Sequence, residues 1–206
     1  MTRHAPPPAV TTAPTGRSAR GAVGTLPFAC ATLVALNGLY MLLVAFGNIT
    51  DYATNEAFVR HVLSEDTTNF GAPAGTGLDP DLMWRAVTSP ALQTVAYLGV
   101  IVWEAVAAVV LATAVVLRVR TRRATEDTAR RVATAGLLMI VVLFFGGFID
   151  VGGEWFGMWR STVWNGLDPA FRNCMLALVT LVLLHLPGED RRTASPDPAP
   201  HVVGRR

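Results

Sequence analysis

Apolar residues in this chain gather into four long blocks, 26–47, 90–117, 132–149 and 169–186, separated by stretches rich in Gly, Pro, Asp, Asn and Arg. Each block falls in the range of about 17–25 mainly apolar residues that a helix needs to cross a bilayer, or exceeds it. The second is the longest, roughly 42 Å if fully helical, so it should tilt or project beyond a hydrocarbon core of about 30 Å. Ser89-Pro90 and Asp168-Pro169 each place a capping side chain directly before a proline, a favourable helix start. The second and fourth helices therefore enter the membrane from the same side. The predicted fold is all-α: an integral membrane four-helix bundle over 26–187, with short interfacial helices in its outer loops. The first block lacks a small-residue cleavage pattern and reads as an uncleaved span. The tails, 1–25 with Pro6-Pro7-Pro8 and 188–206, have no apolar periodicity and are expected to be disordered.

Composition agrees with this pattern: 51% of the residues are hydrophobic, 16% are charged, and the mean hydropathy is +0.40. The net charge is only +2, so no basic field argues for nucleic acid. All 17 basic residues are arginine, and their placement carries the topology. Three lie in the first tail, six between 118 and 131 and four after Pro187, leaving only Arg60, Arg85, Arg160 and Arg172 elsewhere. The positive-inside rule then puts both termini and loop 118–131 in the cytoplasm, with loops 48–89 and 150–168 outside. The short inner loop makes the second and third helices antiparallel neighbours. Arg118, Arg120, Arg122 and Arg123 set this topology and can also hold anionic lipid headgroups.

The first outer loop is patterned. Thr54 or Asn55 can cap a short helix reaching Leu63, with Phe58, Val62 and Leu63 on its apolar face. The Gly- and Pro-rich stretch 69–80 reads as a flexible insertion, and Leu82-Met83-Trp84 as a second apolar patch. The second outer loop holds three of the five tryptophans. Tyr52, Trp84, Trp155, Trp159 and Trp164 suit an interfacial aromatic belt, and their density also suits two loops packed together as a cap.

Several motifs together resemble a known family: Asn48-Ile49-Thr50-Asp51-Tyr52, Asn55, Phe58-Val59-Arg60-His61-Val62-Leu63, Asp66-Thr67, Met83-Trp84-Arg85, Ser89-Pro90, Gly152-Gly153-Glu154-Trp155-Phe156, Met158-Trp159 and Trp164-Asn165-Gly166. They are similar to the bacterial family called domain of unknown function 2165, of small integral membrane proteins. The resemblance implies four spans and supplies no activity. The chain departs from the family pattern at insertion 69–80, in its long tails, and at Glu65, where methionine is usual.

Two charges fall inside the apolar blocks. Counting at 1.5 Å per residue from the inner ends places Glu104 and Arg172 at a similar depth, about 20 Å, on helices that run the same way. An intramembrane ion pair between them is the sharpest structural expectation, either orienting helices or serving as a proton or ion site. Asp150 and Glu154, spaced i, i+4, would share one face if the third helix continued. With Asp51, Arg85 and Arg160 they form a candidate polar site at the outer mouth. The alternative is that Glu154 caps backbone amides or pairs with Arg160 or Arg85. Asn37 is expected to hydrogen-bond between helices.

His61 in an outer loop and His185 at the inner end cannot face each other across a haem. Cys30 and Cys174 differ in depth by more than a disulfide spans and should be free thiols. No spacing marks a metal, a phosphate loop or a serine triad built from Ser161 or Ser89 with His61, so no metal, cofactor or catalytic residue is expected. Three functions stay open. The first is a non-enzymatic interaction or accessory component of a complex in the bacterial cytoplasmic membrane, working with a protein partner or a second copy of itself. The second is a small-solute, ion or proton carrier using Glu104, Arg172 and Glu154. The third is a lipid-headgroup or quinone-binding protein.

Overall fold

The protein is described by a computed structural model covering residues 25–120 and 126–187. Apart from Thr25, the tails expected to be disordered lie outside the described residues, as do Arg122 and Arg123. Five helices account for nearly all of the fold: α1 Leu26–Thr50, α2 Tyr52–Ser64, α3 Pro90–Val119, α4 Glu126–Val141 and α5 Leu167–His185. α4 runs directly into a π-helix, Val142–Trp155, so one continuous helix covers Glu126–Trp155. Four helices, α1, α3, α4 with its π extension and α5, are long and apolar enough to cross a membrane. The fold is an all-α four-helix membrane bundle.

Each span has a buried stripe at steps of three and four residues, the repeat that brings side chains onto one helix face. On α1 the stripe is Cys30, Val34, Gly38, Met41, Ala45 and Asn48. On α3 it includes Gln93, Tyr97, Ile101, Glu104, Ala108, Leu111 and Ala114, and on α5 Ala170, Cys174, Ala177 and Thr180. The remaining faces carry exposed Leu, Val and Phe side chains that suit lipid contact. The most extensive helix contact is between α1 and α3, followed by that between α3 and α4.

The tightest point lies where α1, α3 and α4 meet. Leu111 is fully buried between Gly38 and Gly136. A Cβ on Gly38 would lie 3.0 Å from the Leu111 Cβ, and one on Gly136 only 2.7 Å from Leu111 Cγ and Cδ2. Glycine here lets backbones approach, as membrane helix interfaces generally require. Polar links add to this packing: Asn37 Nδ2 donates to Thr180 Oγ1 at 3.1 Å, and Asn173 Nδ2 to Tyr40 Oη at 2.6 Å, both joining α1 to α5. Trp103 Nε1 donates to the Met139 carbonyl at 2.9 Å, joining α3 to α4. Cys30 and Cys174 are free, buried thiols.

Two helix starts differ from expectation. Ser89 is the N-cap residue of α3 but makes no side-chain cap bond. α5 begins at Leu167, one residue before Asp168, and Asn165 Oδ1 accepts from the Leu167 amide at 3.1 Å. Asp168 then lies inside the first turn and pairs with Arg172 one turn on. α2 is also longer than expected, starting at Tyr52, and its Phe58, Val62 and Leu63 pack against Phe156, Met158 and Leu167.

Candidate functional site

Polar side chains gather at two places on the side of the bundle where α1 ends. The first is a buried node between α1 and α3. Glu104, only 3% exposed, accepts a hydrogen bond at Oε2 from Asn48 Nδ2 at 2.6 Å. Asn48 Oδ1 in turn accepts from Asn55 Nδ2 of α2, also at 2.6 Å, and Tyr97 Oη donates to the Asn48 carbonyl at 3.3 Å. The ring of Tyr52 lies 4.8 Å from that of Tyr97. Tyr52 thus covers the node and is not one of the cap aromatics with which its sequence position groups it.

The expected Glu104–Arg172 ion pair does not form. Arg172 has 69% of its side chain exposed and pairs with Asp168. The physical reason is angular: Arg172 lies two residues, about 200°, from both Ala170 and Cys174 of the buried α5 stripe, so it points away from the bundle. Equal depth therefore does not make the two charges neighbours.

The second place is a cap built from the segments that join α1 to α3 and the π-helix to α5. Arg85 Nη1 donates to the Trp155 carbonyl at 3.0 Å, with its guanidinium 5.6 Å from the ring of Trp84 and 5.4 Å from that of Trp155. Arg160 is arranged alike, 5.1 Å from the Trp159 ring and 6.0 Å from that of Phe70, and it pairs with Asp79 at 3.7 Å. Each clamp joins one segment to the other and gains from guanidinium–π attraction. Further ties come from Phe70 N to the Arg160 carbonyl at 3.1 Å and from a 3.0 Å hydrogen bond between Thr67 and Ser161. His61 stacks on Trp164, with ring centroids 4.7 Å apart, and its Nδ1 lies 2.8 Å from Asp66 Oδ2. The 69–80 stretch folds back on itself, since Asn69 Nδ2 donates to the carbonyls of both Pro73 and Thr76.

Glu65 sits beneath these clamps, 2% exposed, with a left-handed φ of 55° and one carboxylate oxygen without a partner. Burial pushes its pKa up, and the charges of Arg85 and Arg160 pull it part of the way back. The folded cap consequently holds the proton more tightly than the unfolded chain does. The cap should lose stability as pH rises from the ordinary carboxylate value of about 4.3 through the raised folded value. Glu65→Met should remove this slope and leave the cap as stable or more stable, by up to about 4 kcal/mol, because an incompletely bonded buried charge gives way to apolar packing. Tryptophan-fluorescence melts across a pH series test this; an unchanged slope in the variant would contradict it.

The five residues of the expected outer-mouth site make no hydrogen bond or ion pair with one another. Asp51 lies at the α1–α2 joint, accepting from Thr54 Oγ1 at 2.9 Å. Arg85 and Arg160 occupy separate clamps, while Asp150 and Glu154 are exposed on the π-helix. The helix does continue past Asp150, but with i→i+5 hydrogen bonds, as from Phe156 N to the Val151 carbonyl at 3.0 Å. Residues four apart still lie on one side of such a helix, and both carboxylates are exposed. Glu154 also makes none of its expected pairs, since Arg160 takes Asp79 and Arg85 takes the Trp155 carbonyl.

Sequence reasoning missed Asn48, Asn55 and Glu65 as site members. Asn48 continues the three-and-four stripe of α1 one step past Ala45, a signal that ending the span at Gly47 concealed. No local signal marks Glu65, whose burial comes from segments distant in sequence. Serine chemistry gains no support, because Ser161 Oγ is engaged by Thr67 and accepts from the Trp164 amide at 2.9 Å.

The chain belongs to the family described as predicted small integral membrane protein, domain of unknown function 2165, whose pattern matches residues 26–187. No curated protein and no solved structure matches it.

Proposed function

We propose that this member of the domain of unknown function 2165 family is a non-enzymatic component of a membrane complex, docking an extracytoplasmic segment of another membrane protein on its aromatic–arginine cap. The observation that carries this reading is the pair of clamps. Trp84, Trp155, Trp159 and Phe70 are all exposed, yet each is held against a guanidinium group, that of Arg85 or Arg160, which bridges to an aromatic ring of the facing segment. Exposed tryptophan and arginine held rigidly in place is the composition of binding hot spots, and preorganisation lowers the entropy lost on association. The arginine distribution supports a bacterial cytoplasmic membrane location with both termini inside and the cap outside.

The carrier reading has less support, because Glu104, Arg172 and Glu154 lie apart and in different environments. A photoreactive amino acid at Trp84 is expected to give a discrete adduct with a second polypeptide in intact membranes. The same probe at Leu43, on an exposed face of α1, should give none. Adducts of equal yield from both positions, or only adducts of twice the monomer mass, would overturn the proposal.

A further inference from the structure

The buried node has a property that docking does not require. Membrane helices rarely retain an ionisable side chain in their interior without using it, and such a residue normally finds a partner. Here the hydrogen-bond partner is an amide: among the described residues no arginine or histidine forms an ion pair with Glu104. The line from Glu104 to Asn48 to Asn55 also has a direction. Glu104 and Asn48 are buried, whereas Asn55 is exposed, so two hydrogen bonds lead from the bundle interior to the surface.

We propose that Glu104 reversibly binds a proton and exchanges it with water admitted at the α1–α2 junction, where Asn48 and Asn55 link the two helices. Because Asn48 Oδ1 is taken by Asn55, its Nδ2 faces Glu104, giving a donor that serves the carboxyl whether or not it holds a proton. On release, the O–H bond of the carboxylic acid breaks, the proton passes to water, and the carboxylate keeps the Asn48 hydrogen bond. Asn48 lies at the C-terminal end of α1, where the helix dipole is negative and orphan carbonyls gather, a setting that favours an incoming positive charge. α2 begins only four residues later. Beneath α2, an apolar cavity of about 130 Å³ lined by Phe58, Val62, Leu63, Val100 and Phe148 leaves it room to shift, which would part Asn55 from Asn48 and admit water.

Among the described residues, the phenols of Tyr40 from α1 and Tyr97 from α3 lie near enough to feel the charge of this carboxyl. α2 adds the Tyr52 ring over Tyr97, with Asp51 and Glu56 farther out. α5 and the π-helix contribute no ion pair to it, as Arg172 is bound to Asp168 and both Asp150 and Glu154 are exposed. The line reaches one side of the bundle, which describes a proton-binding site and not a transport path.

The test uses the full chain in lipid nanodiscs, with an apolar carbodiimide that adds to protonated carboxyls and peptide mass analysis to locate the adduct. Glu104 is expected to be labelled, with the rate falling about tenfold for each pH unit above its midpoint, since only the acid form reacts. Asn55→Leu, which removes the link to Asn48 and eases the entry of water, should move the labelling midpoint to lower pH without changing which residue is labelled. Infrared pH-difference spectra should show a carboxylic-acid band that titrates in the wild type and is lost in Glu104→Gln. If Glu104→Gln does not fold, wild-type labelling alone decides. Absent labelling, labelling indifferent to pH, or a midpoint that moves with sodium concentration would each overturn the proposal, the last by making the site an ion exchanger.

Discussion

Replacing Asn48 with leucine is expected to cost about 3 kcal/mol of bundle stability, because it leaves Glu104 buried without its hydrogen-bond donor. The variant also leaves Asn55 Nδ2 without its acceptor, Asn48 Oδ1, whereas Tyr97 Oη keeps its bond to the main-chain carbonyl at position 48. The origin of the loss can be isolated. Adding Glu104→Met to Asn48→Leu should restore most of the stability, because two apolar side chains then face each other where a donor and a carboxylate stood. Thermal melts of the detergent-solubilised wild type, single and double variants measure this. Strictly additive losses would show that the node carries little of the α1–α3 contact.

The second large effect belongs to the α1–α3–α4 contact. Leu111→Ala is expected to cost about 2–5 kcal/mol, since a fully buried leucine that fills the space between two glycines is lost. Gly136→Ala is expected to cost about 1–3 kcal/mol by overpacking, as its new methyl would lie 2.7 Å from Leu111. The pair should be strongly non-additive, because shortening Leu111 makes room for that methyl. Melting temperatures of the four members of this cycle give the coupling directly, and a coupling near zero would mean that the glycine is not there for close approach.

Both predictions rest on residues whose spacing was readable in the chain. The four spans follow from block length and apolar content, which depend only on local sequence. The stripes Val34–Gly38–Met41–Ala45 and Ile101–Glu104–Ala108–Leu111 follow from a helical repeat. Depth alone led to the Glu104–Arg172 pairing, and the angular position of Arg172 on α5 undoes it. The repeat of small residues Ala170, Cys174 and Ala177 would have shown that face.

Other features are not local. The π-helix replaces i→i+4 with i→i+5 bonding over Val142–Trp155, and no periodicity of apolar residues announces that change. The cap is legible only in outline: the number of aromatics suggests that two loops meet, but the partners Arg85–Trp155 and Arg160–Phe70 depend on tertiary approach of segments about 70 and 90 residues apart. Glu65 stands out in one dimension only by its departure from the family pattern. Its burial appears once both loops close over it.

Native mass spectrometry of the complex extracted with its surrounding lipid tests the proposed docking of another protein on the cap most directly. The expected result is a heteromeric assembly containing this chain and a second polypeptide, which dissociates when Trp84→Ala and Trp155→Ala are combined and survives Leu43→Ala. A monomer or pure homo-oligomer, or a heteromer indifferent to the cap substitutions, would contradict it.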